Sequence, residues 1–132
     1  MRFLRMLLND GELDGARILS AETVRSMAKN HIGDLTVPAL ETARPELSHD
    51  FTFVDDGRDK FGLGFLINFS AKEGGRSSGS LAWAGLYNTY FWVDPQAGIT
   101  GVILSQFLPF SDPRALETLD LFERGVYDLM AE

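Results

Sequence analysis

Three residue patterns in this 132-residue sequence have the types and spacing of catalytic or metal-binding groups. The first is a Ser-x-x-Lys at Ser26 and Lys29, in which a lysine can act as the base for a serine nucleophile. The second is a Gly-x-Ser-x-Gly at residues 75–79 (GRSSG), the pattern of a nucleophile elbow. The third is the pair His31 and His49, which offer two bases or two metal ligands.

The positions of these residues argue against each pattern. The Ser-x-x-Lys chemistry needs the serine at a helix N-terminus, where the backbone N–H groups and the helix dipole assist it, but Ser26 lies inside a predicted helix. A nucleophile elbow opens a helix and precedes its histidine, whereas a strand is predicted after residue 79 and both histidines come earlier. Irregular chain separates His31 from His49, without the short spacing that holds two ligands on one element. We therefore expect no metal, no cofactor and no nucleophile in this sequence.

The composition narrows the class of partner. A net charge of -7 and a pI near 4.7 exclude the basic surface that nucleic acids and anionic membranes require, which leaves small neutral or cationic ligands. No apolar run approaches the ~20 residues that span a bilayer, and Arg5 interrupts the apolar start of the chain too early for a signal peptide. As the chain stands, these features predict a cytoplasmic location. With no cysteine, the redox compartment cannot be read.

The elements that must position a site form one domain of the α+β class. Periodicity predicts two short helices at the start, and Ser20 can cap the second of them. Short links between later apolar segments predict an antiparallel sheet of three or four strands, at 61–69, 78–83, 87–93 and 99–107. The predicted segments are helices and a hairpin over 1–32, a long loop over 33–60, strands over 61–108 and a C-terminal helix over 111–131.

The fourth strand indicates that both faces of this sheet need cover. Ile99 and Ile103 point to one face, and Val102 and Leu104 point to the other. Only the two short helices and the loop remain for one of these faces, which predicts that a further body covers it. The C-terminal helix covers the opposite face through an apolar stripe, which we assign to Ala115, Leu116, Leu119, Phe122, Val126 and Met130.

An ordered set of segments resembles the serine β-lactamase-related esterases, bacterial hydrolases that share the fold of class C β-lactamases and penicillin-binding proteins. Residues 74–95 (GGRSSGSLAWAGLYNTYFWVDP) carry most of the resemblance. Residues 6–15 (MLLNDGELDG) and 18–24 (ILSAETV) resemble the helix and hairpin that precede the last strands in that family. Residues 102–106 (VILSQ) and Pro109 resemble its closing strand.

The resemblance implies a substrate-binding role for Trp83, Ala84 and Gly85, which correspond to the family's Lys-Thr-Gly-like triplet. It also implies that the Leu86 backbone N–H is an oxyanion-hole donor, a contribution of roughly 3 kcal/mol to transition-state stabilisation. The small residues Ala84 and Gly85 would let a substrate approach the backbone closely. Trp83 stands where a lysine could bind a carboxylate, which favours neutral esters over penicillins.

The family's own Ser-x-x-Lys and Tyr-x-Asn lie upstream of everything that matches here. The resemblance therefore implies the C-terminal part of an enzyme that hydrolyses carboxylic esters or β-lactams through an acyl-enzyme, begun at an internal Met and inactive alone. The missing N-terminal part would then be its natural complement. The alternative is a non-catalytic module that uses the open sheet face for binding or self-association.

Overall fold

The computed structural model describes residues 1–52 and 57–131, so part of the predicted 33–60 loop lies outside the described residues. The N-terminal region contains a helix, a two-stranded hairpin and a second helix, and a five-stranded sheet and a long helix follow the loop. This is the predicted α+β class. In chain order the elements are α1 Arg2–Leu8, β1 Glu12–Leu13, β2 Ala16–Arg17, α2 Ala21–Met27, β3 Lys60–Phe61, β4 Leu66–Ile67, β5 Leu81–Gly85, β6 Thr89–Asp94, β7 Ile99–Ile103 and α3 Pro113–Ala131.

Local signals account for the N-terminal elements. Gly11, just past α1, has φ +92, and a Cβ there would collide with the Leu19 carbonyl, so a glycine is required. The Ser20 Oγ accepts a hydrogen bond from the Thr23 N–H at 3.0 Å, which confirms the predicted cap of α2. None of the described helices is long and apolar enough to cross a membrane.

The five strands pair in chain order, β3-β4-β5-β6-β7, and every pairing is antiparallel. The predicted meander is therefore confirmed, but its strands are shorter than expected. The second begins at Leu81 because residues 77–80 form a turn in which Gly79 has φ +83. The third begins at Thr89 because Asn88 adopts φ +60, and the fourth ends at Ile103 rather than at residue 107.

The predicted single strand over 61–69 is wrong. It is a hairpin in which the Gly62 N–H donates to the Phe65 carbonyl at 2.8 Å, and Gly64 has φ +91 at the turn. A Cβ on Gly62 would collide with the Met27 carbonyl, so contact with α2 holds this segment away from an extended path. The continuous apolar pattern therefore came from two short strands and the turn between them.

Both faces of the sheet are buried at its centre. On one face, α1 and α2 contribute a cluster that includes Leu4, Val24 and the strand residues Leu81 and Val93, the last being 1% exposed. On the other face, α3 packs through Ala115 against Tyr90 and Phe51. The expectation that one face lacks cover is therefore wrong for the sheet centre, because two seven-residue helices suffice to bury it.

The outer side of α3 differs from the predicted stripe. Met130, which we assigned to the buried side, is 62% exposed, and Leu129 is 74% exposed. Glu123 is fully buried instead. The helix therefore turns a charged residue toward the sheet and leaves several large apolar side chains facing outward.

Candidate active site

Within residues 1–52 and 57–131, the end of β5 at Ala84 and Gly85 forms an open sheet edge. β6 pairs with all five residues of β5, but among the described residues β4 pairs only with Leu81 and Ala82. Trp83 follows in the strand and packs its ring edge-on against Phe61, with centroids 5.1 Å apart, and the last two residues of β5 are Ala84 and Gly85. Backbone groups on an unpaired edge are available to another strand or to a ligand.

The alternation of the ladder indicates which backbone groups face that edge. The Asn68 N–H donates to the Ser80 carbonyl at 2.9 Å, so the Ser80 carbonyl points toward the side of β4. In an antiparallel ladder this direction repeats at every second residue, which points the N–H of Ala84 toward the open edge. The same alternation, continued one residue past the end of β5, points the Leu86 N–H toward the open edge as well.

A tight turn fixes the position of Leu86. The Asn88 N–H donates to the Gly85 carbonyl at 3.0 Å, and Asn88 itself has φ +60. Asn88 is fully buried, and its side-chain amide donates to the Phe107 and Pro109 carbonyls at 3.0 and 2.8 Å. The turn that carries Leu86 is therefore anchored to the chain that follows β7.

All four residues that the resemblance assigned to the site line one cavity. It has a volume of about 210 Å³ and an apolar lining. Sequence reasoning missed two of its wall residues, Leu40 from the loop and Phe110 from the segment after β7, and no local pattern marks either of them. The lining consists of Leu40, Trp83, Ala84, Gly85, Leu86 and Phe110.

Gly85 is not required by the fold. A Cβ at this position would meet the Thr89 Cβ at 3.7 Å, an ordinary van der Waals distance, and the φ of Gly85 is not positive. A Cβ would therefore fit at position 85, where the residue lines the cavity. A small residue here leaves room for a ligand against the backbone.

Residues of the Ser-x-x-Lys, the Gly-x-Ser-x-Gly and the histidine pair have structural roles. Ser26 lies in the last turn of α2, and its carbonyl contacts the His31 Nε2 at 2.7 Å. In the 75–79 segment, the Ser77 N–H donates to Asp94, and the Ser78 hydroxyl donates to the Phe69 carbonyl. Across residues 1–52 and 57–131, no three His, Asp or Glu side chains are grouped as a metal site would require.

A buried ion cluster lies on the α3 side of the sheet, and sequence reasoning missed it. Glu123 accepts from the Arg76 Nε at 2.9 Å, from the Arg76 backbone N–H at 3.0 Å and from the Lys72 Nζ at 2.9 Å. Burial by itself raises the pKa of Glu123, but the hydrogen bonds and charge of Arg76 outweigh it and lower the pKa from 4.5 to about 2. A Cβ on Gly75 would lie 2.6 Å from the Glu123 Oε1, so the glycine makes room for the carboxylate.

A family model described as beta-lactamase matches residues 5–123. Protein Rv1367c of Mycobacterium tuberculosis is 34% identical over 114 residues, which is 83% of this chain and 26% of that protein. Monacolin J acid methylbutanoyltransferase of Aspergillus terreus is 33% identical over 72 residues, 53% of this chain and 17% of that enzyme. The chain thus spans about a quarter or less of the length of the curated relatives it matches.

Solved structures share the fold. Unliganded simvastatin synthase (LovD) from Aspergillus terreus aligns with a TM-score of 0.73 and 26% identity, over 95% of this chain and 31% of that one. A penicillin-binding protein homologue from Caulobacter crescentus aligns with a TM-score of 0.58 and 16% identity, over 94% of this chain and 29% of the other. The second likeness is one of fold alone.

Proposed function

We propose that this chain, which belongs to the beta-lactamase family, forms the C-terminal part of an acyl-transferring serine enzyme and is inactive by itself. The observation that carries the proposal is the cavity at the end of β5, which Trp83, Ala84 and Gly85 line together with Leu86. A groove of this kind can position a carbonyl group and stabilise the charge that develops on its oxygen. It supplies no nucleophile.

The reaction consists of two acyl transfers. A serine from the rest of the enzyme attacks the substrate carbonyl, and the electron pair of the C=O bond moves to oxygen, where the Leu86 N–H donates a hydrogen bond. The tetrahedral intermediate collapses, the C–O or C–N bond to the leaving group breaks, and the leaving group takes a proton. Water or an alcohol then attacks the acyl-enzyme by the reverse sequence and releases the acid or a new ester.

The substrates that fit best are neutral carboxylic esters. Trp83 provides no cation for a carboxylate, and none of the six residues that line the cavity is charged. The named activity of the Aspergillus relative, methylbutanoyl transfer, supports acyl transfer as the chemistry of this chain's parent enzyme. Hydrolysis of β-lactams belongs to the proposal because it follows the same two transfers.

A direct test uses the purified chain with a short-chain nitrophenyl ester and a chromogenic cephalosporin. We expect no turnover above buffer from the wild type or from Ser26→Ala, because Ser26 lies in the last turn of α2 rather than at a helix N-terminus. Turnover that Ser26→Ala leaves unchanged would show that the chain holds another nucleophile. Turnover that Ser26→Ala abolishes would make Ser26 that nucleophile.

A hybrid tests the enzymatic half of the proposal. The segment of the Aspergillus methylbutanoyltransferase that aligns with this chain is replaced by this chain, and the parent enzyme serves as the positive control. We expect a folded hybrid, checked by circular dichroism, to turn over the nitrophenyl ester. A folded hybrid without activity beside an active parent would contradict the proposal.

A second candidate is a non-catalytic self-association module. The outer side of α3 supports it, because Leu121, Leu129 and Met130 are each more than 60% exposed. Light scattering across a concentration series tests it, with Leu129→Lys as the variant. A monomer at every concentration would exclude this candidate, and a dimer that Leu129→Lys dissociates would support it.

A further inference from the structure

The cavity beside β5 owes its space to a small residue opposite a large one. Ala84 pairs across the ladder with Tyr90, and it packs against the buried cluster of Phe51 and Tyr90. A larger side chain at position 84 would occupy the volume that is now empty. The size of residue 84 therefore controls the size of the cavity.

The two outer walls of the cavity are held in place. Leu40 exchanges two backbone hydrogen bonds with Phe51, at 2.8 and 3.0 Å. The Phe110 N–H donates to the Leu47 carbonyl at 2.8 Å, and the Phe110 ring stacks on Tyr90 with centroids 6.0 Å apart. Neither wall depends on a ligand for its position.

The cavity is continuous with the proposed oxyanion donor. Gly85 and Leu86 line it directly, and Leu40 and Leu86 are 41% and 47% exposed at its mouth. A carbonyl oxygen held by the Leu86 N–H would therefore place one of its substituents against Ala84. The lining admits an uncharged group only, since a buried charge would find no partner there.

We propose that Leu40, Ala84 and Phe110 form an alkyl pocket that selects esters by the length of an uncharged aliphatic group beside the carbonyl. This inference rests on the proposed function. The cavity has a volume of about 210 Å³ and is bounded by Leu40 and Phe110, so it limits the length of the group that it can hold. Each methylene buried should raise affinity about fourfold.

The pocket is tested on the 132-residue chain by NMR, which does not require turnover. Isotope-labelled chain is titrated with methyl esters of increasing acyl length, and separately with acetate esters of increasing alcohol length. We expect shifts centred on the methyl groups of Leu40 and Ala84, with affinity that rises about fourfold per methylene and then levels off. The series that shows the rise identifies the acyl or the alcohol side of the ester as the occupant.

Two variants move the length limit in opposite directions. Ala84→Val narrows the pocket and suits a strand position, so we expect its limit to shorten by one or two carbons. Leu40→Ala widens the pocket at a half-exposed position, so we expect its limit to lengthen. Thermal unfolding of both variants checks that they fold. Shifts without dependence on chain length, or folded variants that keep the wild-type limit, would overturn the pocket.

A control ligand, an ether of the same length as the ester, distinguishes the alkyl pocket from the oxyanion role of Leu86. The ether fills the pocket but offers no carbonyl, so only the ester should shift the Leu86 amide resonance. If ester and ether bind with the same length dependence and neither shifts that amide, the pocket stands and the oxyanion role of Leu86 fails. If the ester shifts the Leu86 amide without any length dependence, the oxyanion role stands and the pocket is wrong.

Discussion

Replacement of Glu123 by glutamine tests the buried ion cluster directly. Glu123 is fully buried, and its carboxylate accepts from three groups of Arg76 and from Lys72. Glutamine keeps the shape of the side chain but removes the negative charge. The Arg76 guanidinium, 11% exposed, is then left without its buried counter-ion.

The expected loss of stability in Glu123→Gln follows from the pKa of Glu123. Glu123 has its pKa lowered from 4.5 to about 2, and at about 1.36 kcal/mol per unit this corresponds to about 3 kcal/mol of stability at neutral pH. Loss of one partner from a buried pair costs about 3–5 kcal/mol, which agrees. For a domain of this size, we expect the melting temperature to fall by about 10 °C.

The pH dependence has a definite sign. Because the folded pKa lies below the unfolded one, the contribution of Glu123 is complete above about pH 4.5 and is lost as the pH falls toward 2. Glu123→Gln lacks this contribution at every pH. The difference in unfolding free energy between wild type and variant should therefore shrink from pH 5 to pH 2.

The assay is urea unfolding followed by circular dichroism at several pH values. Glu117→Gln, the same change at an exposed position on the same helix, is the matched control, and its unfolding free energy should stay within about 0.5 kcal/mol of wild type. If Glu123→Gln unfolds at the same urea concentration as Glu117→Gln at pH 7, the carboxylate does not stabilise the fold and the reasoning is refuted.

Three further substitutions test the positions that hold the sheet and its turns, each by urea unfolding. Gly101→Ala should lower the unfolding free energy by about 1–3 kcal/mol, because the new Cβ would overlap the buried Trp92 ring. Gly125→Ala is the control, since a Cβ there meets nothing within 4 Å and should not destabilise the fold. Equal urea midpoints for the two variants would show that the Trp92 ring can move aside. Asn88→Ala should lower the unfolding free energy by about 2–4 kcal/mol, because it loses buried hydrogen bonds and places an alanine at φ +60. Asn88→Gly removes the same hydrogen bonds but adopts φ +60 without strain. Full wild-type stability of Asn88→Gly would show that the hydrogen bonds do not stabilise the turn. Ser20→Ala should cost about 1 kcal/mol through the lost helix cap, and an unchanged unfolding free energy would contradict the cap.

Features encoded by a few neighbouring residues were predictable from the sequence. Ser20 caps α2 as predicted, since a cap depends only on the next few backbone N–H groups. The turn at Asp14-Gly15 is also present, with φ values of +51 and +80. The order of the strands followed from the short links between them, which allow only antiparallel neighbours.

Features that depend on distant partners were not predictable. The apolar pattern of 61–69 indicated one strand, and only contact with the end of α2 divides it. Met130 fitted the helical stripe as well as Ala115 did, but Met130 is 62% exposed whereas Ala115 is buried. Amphipathic spacing identifies a buried side of a helix without fixing how much of that side is covered.

The sequence by itself determined that Trp83, Ala84, Gly85 and Leu86 stand together at the end of a strand, because adjacent residues remain adjacent in any fold. Only the tertiary structure decided what surrounds them. Leu40 and Phe110 reach the same cavity from segments 70 residues apart, and Glu123 meets Arg76 across 47 positions. These contacts exist because the loop, the sheet and α3 pack in one arrangement, and no local pattern of residues encodes such distances.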